Sequence, residues 1–180
     1  ALFGLGTETG GSVRLPASYC GIYGLKTTYG VLSRWGVVAY GSSLDQVGIL
    51  GHTPADIAEP LSLMCGVDMY DDTSADLPEG KTLNDLQALS DEEFKALKVA
   101  IPKQFLKTDG ADPDVVKCFE ETRKWFTDKG ASVEEVDLPI LDASIAAYYV
   151  IALSEAASNL SRFDGIRYGR RVDNGQGYDE

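Results

Sequence analysis

Ser12 follows Thr9, Gly10 and Gly11 in the run GTETGGSVRLPAS, residues 6–18, and a hydroxyl on so bare a backbone suits nucleophilic chemistry. Glycine tolerates the positive φ that lets successive N–H groups converge on one oxygen. Thr9, Gly10, Gly11 and Ser12 could build such a nest, and donors aimed at a developing oxyanion are often the largest single catalytic contribution. Ser12 is thus the candidate nucleophile, and Thr9, Gly10 and Gly11 are the candidate oxyanion hole. A tight strand-to-helix turn without chemistry is the plainer alternative at this point.

Other glycine-rich sites fit the spacing poorly. A Walker loop needs lysine before the serine, whereas Gly11 runs directly into Ser12. The dinucleotide fingerprint fails at Thr9, where Gly4 and Gly6 call for a third glycine. The nucleophile elbow G-x-S-x-G fails at Arg14. A serine–histidine pair would have to use His52, the sole histidine, which reads as a surface or capping residue in LGHTPAD. Lysine is the usual substitute base, because a desolvated neutral amine can take a hydroxyl proton.

The elements that must hold this turn can be read around it. Residues 1–8 are expected to form a buried strand, and 21–50 short strands and loops punctuated by Gly30, Gly36, Gly41 and Gly48. Thr53-Pro54-Ala55-Asp56 predicts a helix start, and the helix ends near Cys65-Gly66. Residues 67–89 read as a polar connection, and Ser90 to Glu93 as a capping box opening a short helix. Strand 98–102, a helix over 112–130 and a strand from 131 make a βαβ unit with parallel pairing. In that helix Val115, Val116, Phe119, Thr122, Trp125 and Phe126 are expected on one face. A further helix spans about 142–160 and carries Tyr148 and Tyr149.

Composition excludes several functions. The net charge is −12, and residues 1–66 hold three basic and four acidic side chains, so the acidity lies in the remainder. Such a surface repels phosphate backbones and argues against direct nucleic-acid binding by this segment. Cys20, Cys65 and Cys118 are widely spaced and odd in number, which predicts buried thiols, not a disulfide framework or a zinc site. One histidine rules out a histidine-based metal cluster within the sequence. No uninterrupted apolar run nears the roughly 18 residues of a membrane span. The opening ALFGLGTE reads as a strand already under way, so the sequence is expected to be an internal piece of a longer protein.

The run GTETGGSVRLPASYCGIYGLKTTYGVLSRWG with SSLDQVG resembles the signature of the amidase signature family. AYYVIALSEAASNLSRFDGIRYGRR, residues 147–171, resembles more specifically its glutamyl-tRNA(Gln) amidotransferase branch. The resemblance implies an α/β amidase-signature fold, a mixed sheet flanked by helices, with residues 1–180 forming part of a single domain. It also implies a serine–serine–lysine mechanism in which Ser12 becomes the acyl-ester and Thr9, Gly10 and Gly11 form the oxyanion hole. The family's lysine and second serine lie upstream of a stretch like this one, so Lys26 is expected to be structural. A tyrosine near Tyr149 touches glutamine in that branch, which makes Tyr149 a candidate substrate contact. Arg14 and Asp45 take structural roles, as a carboxylate partner and a buried acceptor. Two positions depart from the family pattern: Glu8 where aspartate is usual, and Thr27 where LKPT is usual.

The same resemblance implies glutamine as substrate, amidotransferase subunits B and C as partners, and Glu-tRNA(Gln) reached only through a partner. It places ATP and magnesium in that partner, no cofactor or metal in this chain, and the protein in the cytoplasm or an organellar matrix, away from membranes. The rival readings are a free-standing amidase for a small or aryl amide and a scaffold subunit that has lost the chemistry.

Overall fold

The computed structural model describes residues 1–77, 89–106, 109–170 and 172. It resolves into two compact units, Ala1–Asn84 with Tyr148–Glu180, and Asp85–Ala147.

The first unit is built on an antiparallel sheet of β1 (Phe3–Glu8), β2 (Tyr23–Lys26) and β3 (Gln46–Gly51) in the order β1-β3-β2. Register is set by Glu8 opposite Gln46, Gly6 opposite Gly48 and Phe3 opposite Gly51. On the other side of β3, Lys26 pairs with Gly48 and Tyr23 with Gly51. The expectation of a buried first strand needs correction. Among the described residues only one edge of β1 is paired, and Phe3 and Leu5 remain 43% and 55% exposed.

Helix α1 (Arg14–Cys20) follows the glycine turn, and α2 (Pro54–Met64) begins where the sequence predicts. Thr53 Oγ1 accepts from Asp56 N–H at 3.2 Å, and Asp56 Oδ2 accepts from Thr53 N–H at 2.9 Å. This capping box satisfies donors that would otherwise be orphaned at the helix start. Ile57 and Leu61 then face Leu32 and Ile49, forming the buried apolar core of the unit. Residues 67–77 are more fixed than the sequence suggests: Asp68 accepts from Ser33 Oγ at 2.6 Å, and Asp71 from Arg34 N–H at 2.8 Å. The rest of that predicted connection, 78–88, lies outside the described residues.

The second unit is the predicted βαβ arrangement. Strands β4 (Lys98–Pro102) and β5 (Ser132–Val136) pair in parallel with Val99 opposite Val133. Between them lie a 3-10 turn (Lys103–Leu106) and the longer helix α4 (Pro113–Asp128). Before β4, Phe94 of α3 (Asp91–Lys95) packs on Trp125 and Phe126 of α4 with ring centroids 5.2 and 5.7 Å apart. Val115 lines a hollow together with Val116 and Phe119 on the expected apolar face, although it stays 63% exposed. The fold is therefore α/β as expected, with its antiparallel and parallel pairings in separate sheets.

Helix α5 (Ser144–Leu160) follows a 3-10 turn at Pro139–Ala143. Together, Pro139–Leu160 is long and apolar enough by composition to cross a membrane, although scattered polar residues hide this from a run-length reading. The cysteines also need correction. Cys20 and Cys118 are exposed and Cys65 half-buried, because α1 and α4 turn those positions outward.

Candidate active site

Ser12 is placed by its neighbour. Val13 is fully buried, and its methyl groups fill the dimple left by the cross-strand pair Gly6 and Gly48. A Cβ on Gly48 would lie 3.0 Å from both Val13 methyls and 2.6 Å from the Leu25 carbonyl oxygen. Across β2, a Cβ on Gly24 would lie 2.6 Å from Ala17 Cβ, so α1 rests directly on the sheet. Three strands thus give up side chains to seat the start of one helix. Burying a valine this way contributes roughly 1.5–3 kcal/mol, and it leaves the adjacent Ser12 at the surface.

The turn itself is closed by Glu8, which is only 1% exposed. Its Oε2 accepts the backbone N–H groups of Val13 and Arg14, each at 3.2 Å. Its Oε1 accepts Arg14 Nε at 2.7 Å and also pairs with Arg14 Nη2. Burial pushes the Glu8 carboxyl upward, but the Arg14 side chain and the two backbone donors outweigh it and hold the group below the usual carboxylate range. Arg14 is correspondingly raised, first by its bond to Glu8.

Between Glu8 and Val13 the backbone is left open. Gly11 has φ of 152°, a region that side-chain-bearing residues rarely enter. Among the described residues, the backbone N–H groups of Gly10, Gly11 and Ser12 donate to no acceptor, and no hydrogen bond reaches the Ser12 hydroxyl. An exposed hydroxyl beside three uncommitted donors is the arrangement an acyl-transfer site requires.

The facing wall comes from far along the chain. Tyr148 of α5 shares a 2.8 Å hydrogen bond with Thr9 Oγ1. Its ring lies so close that a Cβ on Gly10 would sit 2.9 Å from it. Tyr148 and Thr9, with Tyr40 and Asp45, line a pocket of about 280 Å³ that also holds Ser12 but neither Gly10 nor Gly11, near the lower end of volumes that take small ligands. A roomier hollow of about 450 Å³ against Leu32, Trp35 and Met64 includes no residue of the Thr9–Ser12 turn.

Sequence reasoning does not foresee Tyr148 and Tyr40 in this pocket. Tyr149, the expected substrate contact, meets Tyr148 edge-on at 5.5 Å, is 57% exposed and does not line the pocket. Asp45 is the buried acceptor expected, taking Tyr40 and Gly41 N–H at 2.9 and 3.1 Å on Oδ2. Lys26 is committed elsewhere, donating to Thr27 O and Gln46 Oε1 at 2.9 Å each. Thr27, the second departure from the family pattern, is buried and donates to Val47 O at 3.2 Å. His52 follows the end of β3 that pairs with Phe3, far from the Glu8 end. From Gly48, against which Val13 packs, it is roughly 13 Å along the strand. No grouping of metal-ligating side chains occurs among the described residues.

The model of the amidase family matches residues 1–179. The A subunit of the glutamyl-tRNA(Gln) amidotransferase of Treponema denticola is 59% identical over 180 residues, covering 100% of this chain and 37% of its own length. The crystal structure of the protein of the same name from Thermotoga maritima is 37% identical with a TM-score of 0.76, over 97% of this chain and 35% of that one. The native peptide amidase of Stenotrophomonas maltophilia is 28% identical with a TM-score of 0.71, over 96% of this chain and 35% of that one. The chain therefore spans little more than a third of the length of these relatives.

Proposed function

This chain belongs to the amidase family, and we propose that it carries the nucleophile of an enzyme that hydrolyses the side-chain amide of glutamine and supplies the ammonia to a glutamyl-tRNA(Gln) amidotransferase. The observation that carries the reading is the exposed Ser12 hydroxyl beside the uncommitted N–H groups of Gly10, Gly11 and Ser12, in a turn braced by Glu8. The choice of glutamine rests on the likeness to the Treponema and Thermotoga proteins.

In this mechanism Ser12 Oγ attacks the amide carbonyl carbon and gives its proton to a base. The uncommitted N–H groups take the oxyanion that forms. Collapse breaks the C–N bond, a proton passes to the leaving nitrogen, and ammonia departs from a glutamyl ester on Ser12. Water then cleaves the ester to glutamate. Lys26 and His52 are poorly placed as the base, and the reading takes it from the family's lysine and second serine, outside these 180 residues. Subunits B and C are the proposed partners, with ATP, magnesium and Glu-tRNA(Gln) handled by the partner, in the cytoplasm.

The test uses the full-length protein assembled with its partners. Ser12→Ala is expected to abolish glutamine-dependent amidation of Glu-tRNA(Gln) and to spare amidation driven by ammonium. Loss of both activities together, in a properly assembled complex, contradicts the assignment of Ser12 to the ammonia-generating half-reaction.

A further inference from the structure

The mechanism above leaves a row of residues on α5 unused. Ala152, Glu155, Ala156 and Asn159 fall at the i, i+3, i+4, i+7 spacing of one helix face, with Tyr148 one turn earlier. Ala152 and Ala156 are buried, and such small side chains let the helix lie close to its neighbours. The polar members all reach the same loop. Glu155 Oε2 accepts Ser43 N–H at 3.0 Å, and its Oε1 accepts Ser43 Oγ at 2.6 Å. Asn159 Nδ2 donates to Tyr40 O at 3.0 Å and to Ser42 Oγ at 2.9 Å.

That loop is gripped from two sides. Asp45 holds the Tyr40 and Gly41 N–H groups from within, while α5 holds Tyr40 O, Ser42 and Ser43 from without. Tyr40 is one wall of the Ser12 pocket, and the Thr9 turn, touched by Tyr148, is another. One helix, rigid over the roughly 16 Å from Tyr148 to Asn159, therefore spans both walls.

We propose that Glu155 and Asn159 are positioning residues which, through Ser43 and Ser42, set the Tyr40 wall at the spacing an amino-acid-sized amide requires. The inference rests on the reading of Ser12 given above. Neither residue touches the Glu8 brace or the Gly10–Ser12 donors, so losing them leaves the attacking apparatus intact and loosens the far wall. The consequence is weaker substrate binding with little change in chemistry.

The experiment compares the full-length protein, assembled with its partners, as wild type, Glu155→Ala, Ser43→Ala, the double variant, Asn159→Ala and Glu155→Gln. Glu155→Ala is expected to raise KM for glutamine about tenfold, the scale of a lost charged hydrogen bond. Its kcat, and the rate at which a small fluorophosphonate labels Ser12, stay within about twofold. Asn159→Ala behaves alike, Glu155→Gln has a smaller effect because it keeps an acceptor, and the double variant is no worse than Glu155→Ala alone. Amide hydrogen exchange of the 40–43 segment should quicken in Glu155→Ala while residues 9–14 stay unchanged. An unchanged KM with unchanged exchange overturns the proposal. So does a parallel fall in labelling and kcat, or strict additivity of the double variant. A wild-type complex that labels at Ser12 but leaves glutamine intact overturns the glutamine assignment instead. The brace is then judged by exchange, where faster exchange at 40–43 supports it and unchanged exchange overturns it.

Discussion

Thr9 and Tyr148 stand 139 residues apart and share a 2.8 Å hydrogen bond, while the tyrosine ring occupies the space a side chain on Gly10 would need. The Thr9–Ser12 turn and α5 are thus fitted to each other. Tyr148→Phe keeps the ring and loses the bond, so kcat/KM for glutamine in the assembled protein is expected to fall about three- to tenfold. Gly10→Ala forces the ring or the turn to move and should lower it further, with part of the loss recovered on adding Tyr148→Ala. Equal losses in Gly10→Ala with and without the tyrosine change would show that the contact does not govern the turn.

Glu8 should matter most for stability. Glu8→Gln weakens bonds to two backbone donors and to Arg14 around a buried side chain. The expected destabilisation is about 1–3 kcal/mol, measured by urea unfolding at pH 7. The folded carboxyl lies below its usual range, so its contribution is fully present above the unfolded value of about 4.3. It is lost as pH falls through the lower folded value. The gap between wild type and Glu8→Gln should accordingly narrow as the solution is acidified from the unfolded value through the folded one. A gap independent of pH would mean that the charge on Glu8 does not hold the turn.

Much of this arrangement is legible in local sequence, and its limits have a physical cause. Thr53 with Asp56 and Ser90 with Glu93 announce their helices because a capping box closes within three residues. The parallel pairing of β4 and β5 follows from one crossover helix. The glycine turn is also plain, since bare backbone is a local signal, whereas the role assigned to Ser12 comes from the family resemblance of the longer run around it. What local sequence does not carry is which tyrosine meets the turn. Tyr148 and Tyr149 differ by about 100° around the helix, and what fixes the rotation, the burial of Ala152 and Ala156 on one face together with the Tyr148 bond to Thr9, lies far from the turn in sequence. The exposure of β1 is equally hidden, because an apolar strand reads the same whether or not a neighbour covers it.

His52 is expected to be dispensable. It is exposed, and it lies beyond the opposite end of β3 from the Glu8 pairing that leads into the turn. His52→Ala should leave the glutaminase rate of the assembled protein within about twofold, whereas removing a general base lowers rates at least about a hundredfold. A loss of that size would restore a serine–histidine mechanism.

The central claim is that glutamine's acyl group passes onto Ser12. Its most direct test is to mix the assembled full-length protein with glutamine, quench in acid within the first turnovers, digest, and analyse the peptide spanning residues 6–18 by mass spectrometry. The account predicts a glutamyl ester on Ser12, absent from Ser12→Ala and from samples quenched before glutamine is added. Active turnover with that peptide unmodified, or with the ester on another residue, would contradict it.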